Sequence, residues 1–189
     1  MYMEYQKKLI EVMTNTELLN HKDSIITKDY EILIGTLISI FQKAKADNKQ
    51  VFFIGNGGSA GIAEHMTTDF MKNGEIHARS MFSSTVLTCF GNDYGYEEIF
   101  SKQLELLAEK EDILVAISSS GNSANIVNAI KAMKKRKGIT ITFTGFKSDN
   151  NVKQLGDYNI YVPIEEYGIV ETIHQAILQH VVDELKNLS

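Results

Sequence analysis

Five short apolar runs, widely spaced, restrict the fold of this chain more than any other feature: VFFI at 51–54, TVLTCF at 85–90, ILVAI at 113–117, ITITFT at 139–144 and YNIYV at 158–162. Each is separated from the next by a segment of helical pattern or helical length. A strand–helix–strand crossover returns the chain to the same end of a sheet, so the strands it joins run parallel. The expectation is an α/β protein with a five-stranded parallel sheet wound by helices on both faces. Ahead of the sheet, residues 2–16 and 29–48 carry helical spacing. In the second, Ile32, Leu33, Leu37, Ile40, Phe41 and Ala44 make one apolar stripe, with Thr27 as its expected N-cap. The reading is one domain over 1–189, with N-terminal helices over about 2–48 and an α/β core over about 51–189.

Composition narrows the function classes. With 189 residues, 43% apolar and 23% charged, the chain is long enough to bury a substantial core. Its single cysteine, Cys89, has no internal partner for a disulfide, and MYMEYQKKLI lacks the apolar centre of a signal peptide. Both features lead to a cytoplasmic expectation. No apolar run is long enough to span a bilayer. A net charge of −5 argues against a nucleic-acid partner, since such binding neutralises phosphates with many Lys and Arg. The one basic block, Lys134 to Lys137, falls in the last turn of a predicted helix, where cations favour the dipole.

Two of the apolar runs end in small polar residues. ILVAI passes into SSSGNSA, and VFFI passes into GNGGSA; both loops lead into a helix. Ligands of an open parallel sheet collect beyond the carboxyl ends of its strands, where the next helix points unpaired backbone N–H groups at them. Ser118, Ser119, Ser120 and Ser123 add hydroxyl donors, a set suited to an anion with several oxygens such as a phosphate monoester. The plainer alternative is a polar turn with an N-cap. Neither loop contains GxGxxG or the GKS/GKT that closes a P-loop, so a nucleotide cofactor is not expected.

Taken together, GNGGSA at 55–60, a His on the next helix, GNDYG at 91–95 and SSSGNSAN at 118–125 resemble the sugar isomerase (SIS) family, and within it the phosphoheptose isomerase branch. The resemblance covers residues 5–185 or so. It implies a three-layer, flavodoxin-like sheet, a homotetramer, and isomerisation of sedoheptulose 7-phosphate to D-glycero-D-manno-heptose 7-phosphate for heptose or surface-polysaccharide biosynthesis. It also implies that Ser118, Ser119, Ser120 and Ser123 hold the phosphate, that Asn56, Gly57 and Ser59 line the same cleft, and that Asp93 binds sugar hydroxyls.

Such an isomerisation needs a base that moves a proton between C1 and C2 while the enediolate oxygen is stabilised. His65 and Asp69 are four apart and share a helix face. Glu171, His174, Gln175 and Gln179 fall on or near one stripe of the last helix. His65, Asp69 and Glu171 have the mixed N/O character that zinc accepts; Gln179, at the position of the family's second histidine, would be a further ligand. The chain departs from the resembled pattern at three positions: Asp69 replaces Glu, Glu171 replaces Gln, and Gln179 replaces the catalytic His, with His180 the next residue. His174, His180, Glu171 and Asp69 are therefore the catalytic candidates, with His174 or Asp69 the expected working base. The alternative is a non-catalytic SIS regulator that binds a sugar phosphate or a protein, resembling DnaA-initiator-associating proteins.

Overall fold

The computed structural model describes residues 2–188. Helix α1 (Tyr2–Thr14) leads into a hairpin of β1 (Glu17–Asn20) and β2 (Ile25–Thr27), then α2 (Tyr30–Ala46). The core continues β3 (Gln50–Gly55), α3 (Gly58–Lys72), β4 (His77–Ser80), α4 (Ser84–Tyr94), a 3₁₀ turn at Tyr96–Glu98, α5 (Ser101–Leu107), β5 (Ile113–Ser118), α6 (Ala124–Lys135), β6 (Ile139–Thr144), α7 (Asn151–Leu155), β7 (Tyr158–Tyr161) and α8 (Tyr167–Asn187).

The strands form one seven-stranded sheet in the order β2-β1-β7-β6-β5-β3-β4. Five of them, β4-β3-β5-β6-β7, are parallel, while β1 pairs antiparallel with both β7 and β2. Numbered among themselves, the parallel strands follow the doubly wound, flavodoxin-like order 2-1-3-4-5. The central strands alternate between two cores. Val51, Phe53, Ile113, Val115 and Ile117 pack with α2, α3 and α8 on one face. Phe52, Ile54, Leu114 and Ala116 pack with α5, α6 and α7 on the other. A strand buried on both faces reads as a continuous apolar run, which is why VFFI and ILVAI are legible as strands.

Three expectations need correction. TVLTCF is part of helix α4, not a strand. Val86, Leu87 and Phe90 fall at i, i+1 and i+4, a helical stripe that a six-residue window does not separate from an apolar strand. The fifth parallel strand is instead β4, where only Ala78 is buried, too short a pattern to stand out. The sheet also gains the hairpin β1–β2, which lies between the two N-terminal helices. Finally, α2 is capped by Asp29, whose Oδ1 accepts from Glu31 N at 3.0 Å and Ile32 N at 3.2 Å. Thr27 sits two residues earlier, and its hydroxyl accepts from Asp29 N.

Candidate active site

In the 2-1-3-4-5 order the winding direction reverses between β3 and β5. The helix after β3 packs on one face and the helix after β5 on the other, so the loops that leave these neighbours splay apart and open a crevice. A cleft of about 450 Å³ occupies that crevice. Asn56, Gly57, Gly58 and Ser59 line it from the β3 loop, Ser118, Ser119, Ser120 and Ser123 from the β5 loop, and Tyr167 and Glu171 from the first turns of α8. A larger hollow of about 710 Å³ runs along edge strand β4 from Gln50 and His77 to Ser80, but no Gly/Ser loop opens onto it.

The serine loop is built to meet a ligand. Ser118 and Ser119 are 5% and 4% exposed, yet among the described residues the Ser119 hydroxyl has no hydrogen-bond partner. Ser123 is the N-cap residue of α6, with extended backbone, but its side chain makes no capping bond. That separates the two readings of the loop: a polar turn with an N-cap would have this hydroxyl accept from the first turn of the helix, and it does not. The four serines instead line the cleft just ahead of the amino end of α6, a set suited to a multi-oxygen anion.

The two loops are tied together at their base. Asn56 Nδ2 donates to Asn125 Oδ1 and Asn125 Nδ2 donates to Asn56 Oδ1, both at 2.9 Å, and Tyr96 Oη donates to Asn56 Oδ1 at 3.0 Å. Glu171 approaches from α8. Its carboxylate lies against the Cα of Gly58, in the space a Cβ there would fill, so it faces the amino end of α3, where a negative charge is favoured.

The other predicted site residues lie elsewhere in the chain. Asp93 is exposed on α4, where its carboxylate accepts from Asn92 Nδ2 at 2.8 Å. Gln175 Nε2 contacts Met66 Sδ at 2.9 Å, between α8 and α3. Gln179 Nε2 reaches its own helix at Asp183 Oδ1, 3.4 Å away. His180 turns toward α2: its ring stacks on Tyr30 with centroids 5.7 Å apart, and Nδ1 lies 3.1 Å from Tyr30 Oη. His174 points into the sheet, wholly buried, with Nε2 3.1 Å from Thr144 O. Burial pushes its imidazolium pKa down to about 4, against a smaller upward contribution from the Thr144 carbonyl. Neither histidine lines the cleft, because a helix advances about 100° per residue and α8 presents Tyr167 and Glu171 there.

His65 Nε2 lies 3.3 Å from Asp69 Oδ2 on α3. Among the described residues no three His, Cys, Asp or Glu side chains converge on one point. The set His65, Asp69, Glu171 and Gln179 therefore does not fit a zinc site within a single chain. Gly58 and Asn125 lie inside the GNGGSA and SSSGNSAN motifs but are not among the predicted site residues, nor are Ile117, Tyr96 and Tyr167. Tyr167 was within reach, since it precedes Glu171 by four residues on one helix.

A doubly wound sheet with a serine-lined crevice at its switch point defines an SIS domain protein, and the SIS domain profile matches residues 17–145; the chain belongs to that family. Within it, the chain belongs with the phosphoheptose isomerases. It is 34% identical over 166 residues to the phosphoheptose isomerase of a Nitratiruptor species, covering 84% of this chain and 88% of that one. It is 31% identical over 187 residues to that of Clostridium acetobutylicum, covering 95% and 93%. The structure of phosphoheptose isomerase GmhA from Neisseria gonorrhoeae superposes with a TM-score of 0.84 at 26% identity, over 97% of both chains.

Proposed function

We propose that the protein is a phosphosugar aldose–ketose isomerase that converts sedoheptulose 7-phosphate to D-glycero-D-manno-heptose 7-phosphate, in the cytoplasm and in the service of heptose or surface-polysaccharide synthesis. The observation that carries this reading is the buried, unpartnered Ser119 hydroxyl beside an N-cap serine that does not cap. The first is a donor without an acceptor among the described residues, and the second is not used by its own helix. The phosphate sits among Ser118–Ser120, Ser123 and the start of α6, and the sugar extends toward Glu171 and Tyr167.

Among the described residues Glu171 is the only carboxyl that lines the cleft, and this reading makes it the base. Its carboxylate takes a proton from C1 of the ketose, leaving an enediolate. A proton moves from the C1 hydroxyl to the former carbonyl oxygen on C2, and Glu171 returns its own proton to C2, leaving the C1 aldehyde. The amino end of α3 stabilises the ionised carboxylate before the first proton transfer and after the last. No described helix is long and apolar enough to cross a membrane.

Homo-oligomer assembly is supported by two helices, and a tetramer is the form that the family resemblance implies. Neither α1 nor α4 has a buried residue, and α1 exposes Tyr2, Met3, Tyr5 and Ile10, more apolar side chain than a solvated helix requires. The regulator reading draws on the single carboxyl in the cleft: a binding module needs no more. One experiment decides between the two. Incubation with sedoheptulose 7-phosphate, followed by NMR, is expected to yield the aldose with wild type and to slow about a hundredfold or more with Glu171→Gln. Binding of the sugar phosphate without conversion by wild type would leave the regulator.

A further inference from the structure

The serine loop does not hold its shape alone. Gly121, at its centre, has φ +66°; the loop makes two bonds of its own, Gly121 N→Ser118 O at 2.9 Å and Asn122 Nδ2→Ser120 O at 3.2 Å, and is further pinned from the neighbouring segment 145–152. Gly145 N donates to Ser119 O at 2.9 Å, and Val152 N donates to Gly121 O at 2.9 Å. Asn122 Oδ1 accepts from Asn151 N at 3.1 Å and from Asn151 Nδ2 at 3.0 Å. This segment contains none of the sequence motifs.

One side chain organises it. Asn150 is 1% exposed. Its Nδ2 donates to Gly145 O at 3.2 Å and Lys147 O at 2.8 Å, and its Oδ1 accepts from Lys153 N at 2.9 Å, capping α7. The same amide fills the space beside Gly121, so that any Cβ on that residue would overlap it. A single planar group therefore fixes where Gly145 N and Val152 N stand, and those two donors fix the carbonyls of Ser119 and Gly121.

We infer that Asn150 is a positioning residue for phosphate binding: it touches no ligand but sets the Ser118–Ser123 loop in its ligand-binding shape through Gly121, Gly145 and Val152. The inference rests on the reading that this loop holds the substrate phosphate. Preorganised donors lose effect when displaced by a fraction of an ångström, whereas the reacting carbons lie at the Glu171 end, so the effect falls on affinity more than on turnover.

The test is calorimetric titration with inorganic phosphate, together with steady-state kinetics, on Asn150→Ala, Asn122→Ala, Ser120→Ala and the core variant Phe41→Leu. Expected for Asn150→Ala are a phosphate Kd and a KM raised on the order of tenfold or more, with kcat within about threefold of wild type. Asn122→Ala, at an exposed side chain, moves Kd in the same direction by less. Phe41→Leu loses stability in a distant core and leaves Kd unchanged, which separates positioning from general destabilisation. If Asn150→Ala fails to fold, Asn122→Ala decides, and an unchanged Kd there overturns the inference. A weakened Ser120→Ala beside an unaffected Asn150→Ala would sink the positioning role and leave the nest standing. Unchanged affinity in Ser120→Ala and Asn150→Ala alike would remove the phosphate site itself, and this inference with it.

Discussion

His174 and Thr144 make a bond that holds one imidazole nitrogen and leaves the other alone: Nε2 is 3.1 Å from Thr144 O at the end of β6, while Nδ1, equally buried, has no partner among the described residues. The ring also packs edge-on against Phe143, with centroids 5.5 Å apart. With Nε2–H donating to the carbonyl, the neutral tautomer fits this pocket. The imidazolium does not, because it would bury a second N–H without an acceptor.

The pH dependence of stability follows from that relationship. The folded pKa is lowered from 6.5 to about 4, so the unfolded chain takes up the proton first as pH falls. The contribution is fully present above the unfolded pKa and is lost progressively down to the folded one, and below that no further change is due to this group. The loss amounts to about 3 kcal/mol over the window. Urea unfolding of wild type and His174→Asn at about pH 7 and about pH 5 measures it: wild type should lose more stability on acidification than the variant. Parallel losses would mean that the ring is not held neutral. The same variant, assayed for isomerisation, should keep kcat within about tenfold of wild type, unlike one that removes a general base.

Ser119→Ala should act in opposite directions on the free and the bound protein. In the free protein the hydroxyl is buried without a partner among the described residues, which costs about 1–3 kcal/mol. Removing the hydroxyl should therefore raise the melting temperature. With ligand, the lost donor to a charged oxygen should weaken phosphate binding by about 1.5–3 kcal/mol, ten- to a hundredfold. A variant that melts lower, with unchanged phosphate affinity, would show that the hydroxyl serves the fold rather than a ligand.

The N-terminal half offers a simpler check on local reading. Asp29 accepts two backbone N–H bonds at the start of α2, so Asp29→Ala should cost about 1 kcal/mol. Thr27→Ala removes only an acceptor for Asp29 N outside the helix and should cost less. Chemical denaturation of the two variants compares them directly, and the reverse order would return the cap to Thr27.

What the sequence made legible followed from burial on both faces. VFFI and ILVAI are continuous apolar runs because β3 and β5 lie between two cores, and the small polar residues that follow them stand at the switch point, where a ligand site belongs. Edge elements carried less signal. β4 buries one residue of four, and β1 and β2 are three or four residues long. α4 buries none, and its stripe of Val86, Leu87 and Phe90 is too short to separate a helix from an apolar strand. The final helix shows a different limit. Glu171, His174, Gln175 and Gln179 are close on a helical wheel, yet α8 is packed on more than one side. Glu171 reaches the cleft, His174 the sheet, Gln175 Met66 and Gln179 solvent-side Asp183, since spacing alone does not fix which neighbour each side chain meets. Asn150 had no signal at all, because its role comes from a contact with Gly121 that sequence separation conceals.

The contact between Gly58 and Glu171 yields a test that leaves the proposed base chemically intact. Gly58 is at the first position of α3 without a positive φ, so alanine suits its backbone and favours the helix by up to about 1 kcal/mol. The added methyl, however, would occupy the place of the Glu171 carboxylate, which is the mobile end of a side chain and can swing away. Gly58→Ala should therefore fold with unchanged or slightly higher stability while kcat falls at least about tenfold, because a base displaced by about an ångström no longer meets the proton it must move. Shortening the acid by one methylene withdraws its carboxylate from the new methyl. Glu171→Asp alone should be impaired, but Gly58→Ala combined with Glu171→Asp should be less impaired than the product of the two single effects, a coupling that a double-mutant cycle on kcat reads directly. Strictly multiplicative losses would show that the two positions do not meet during catalysis, and an unchanged kcat in Gly58→Ala would move the base away from Glu171.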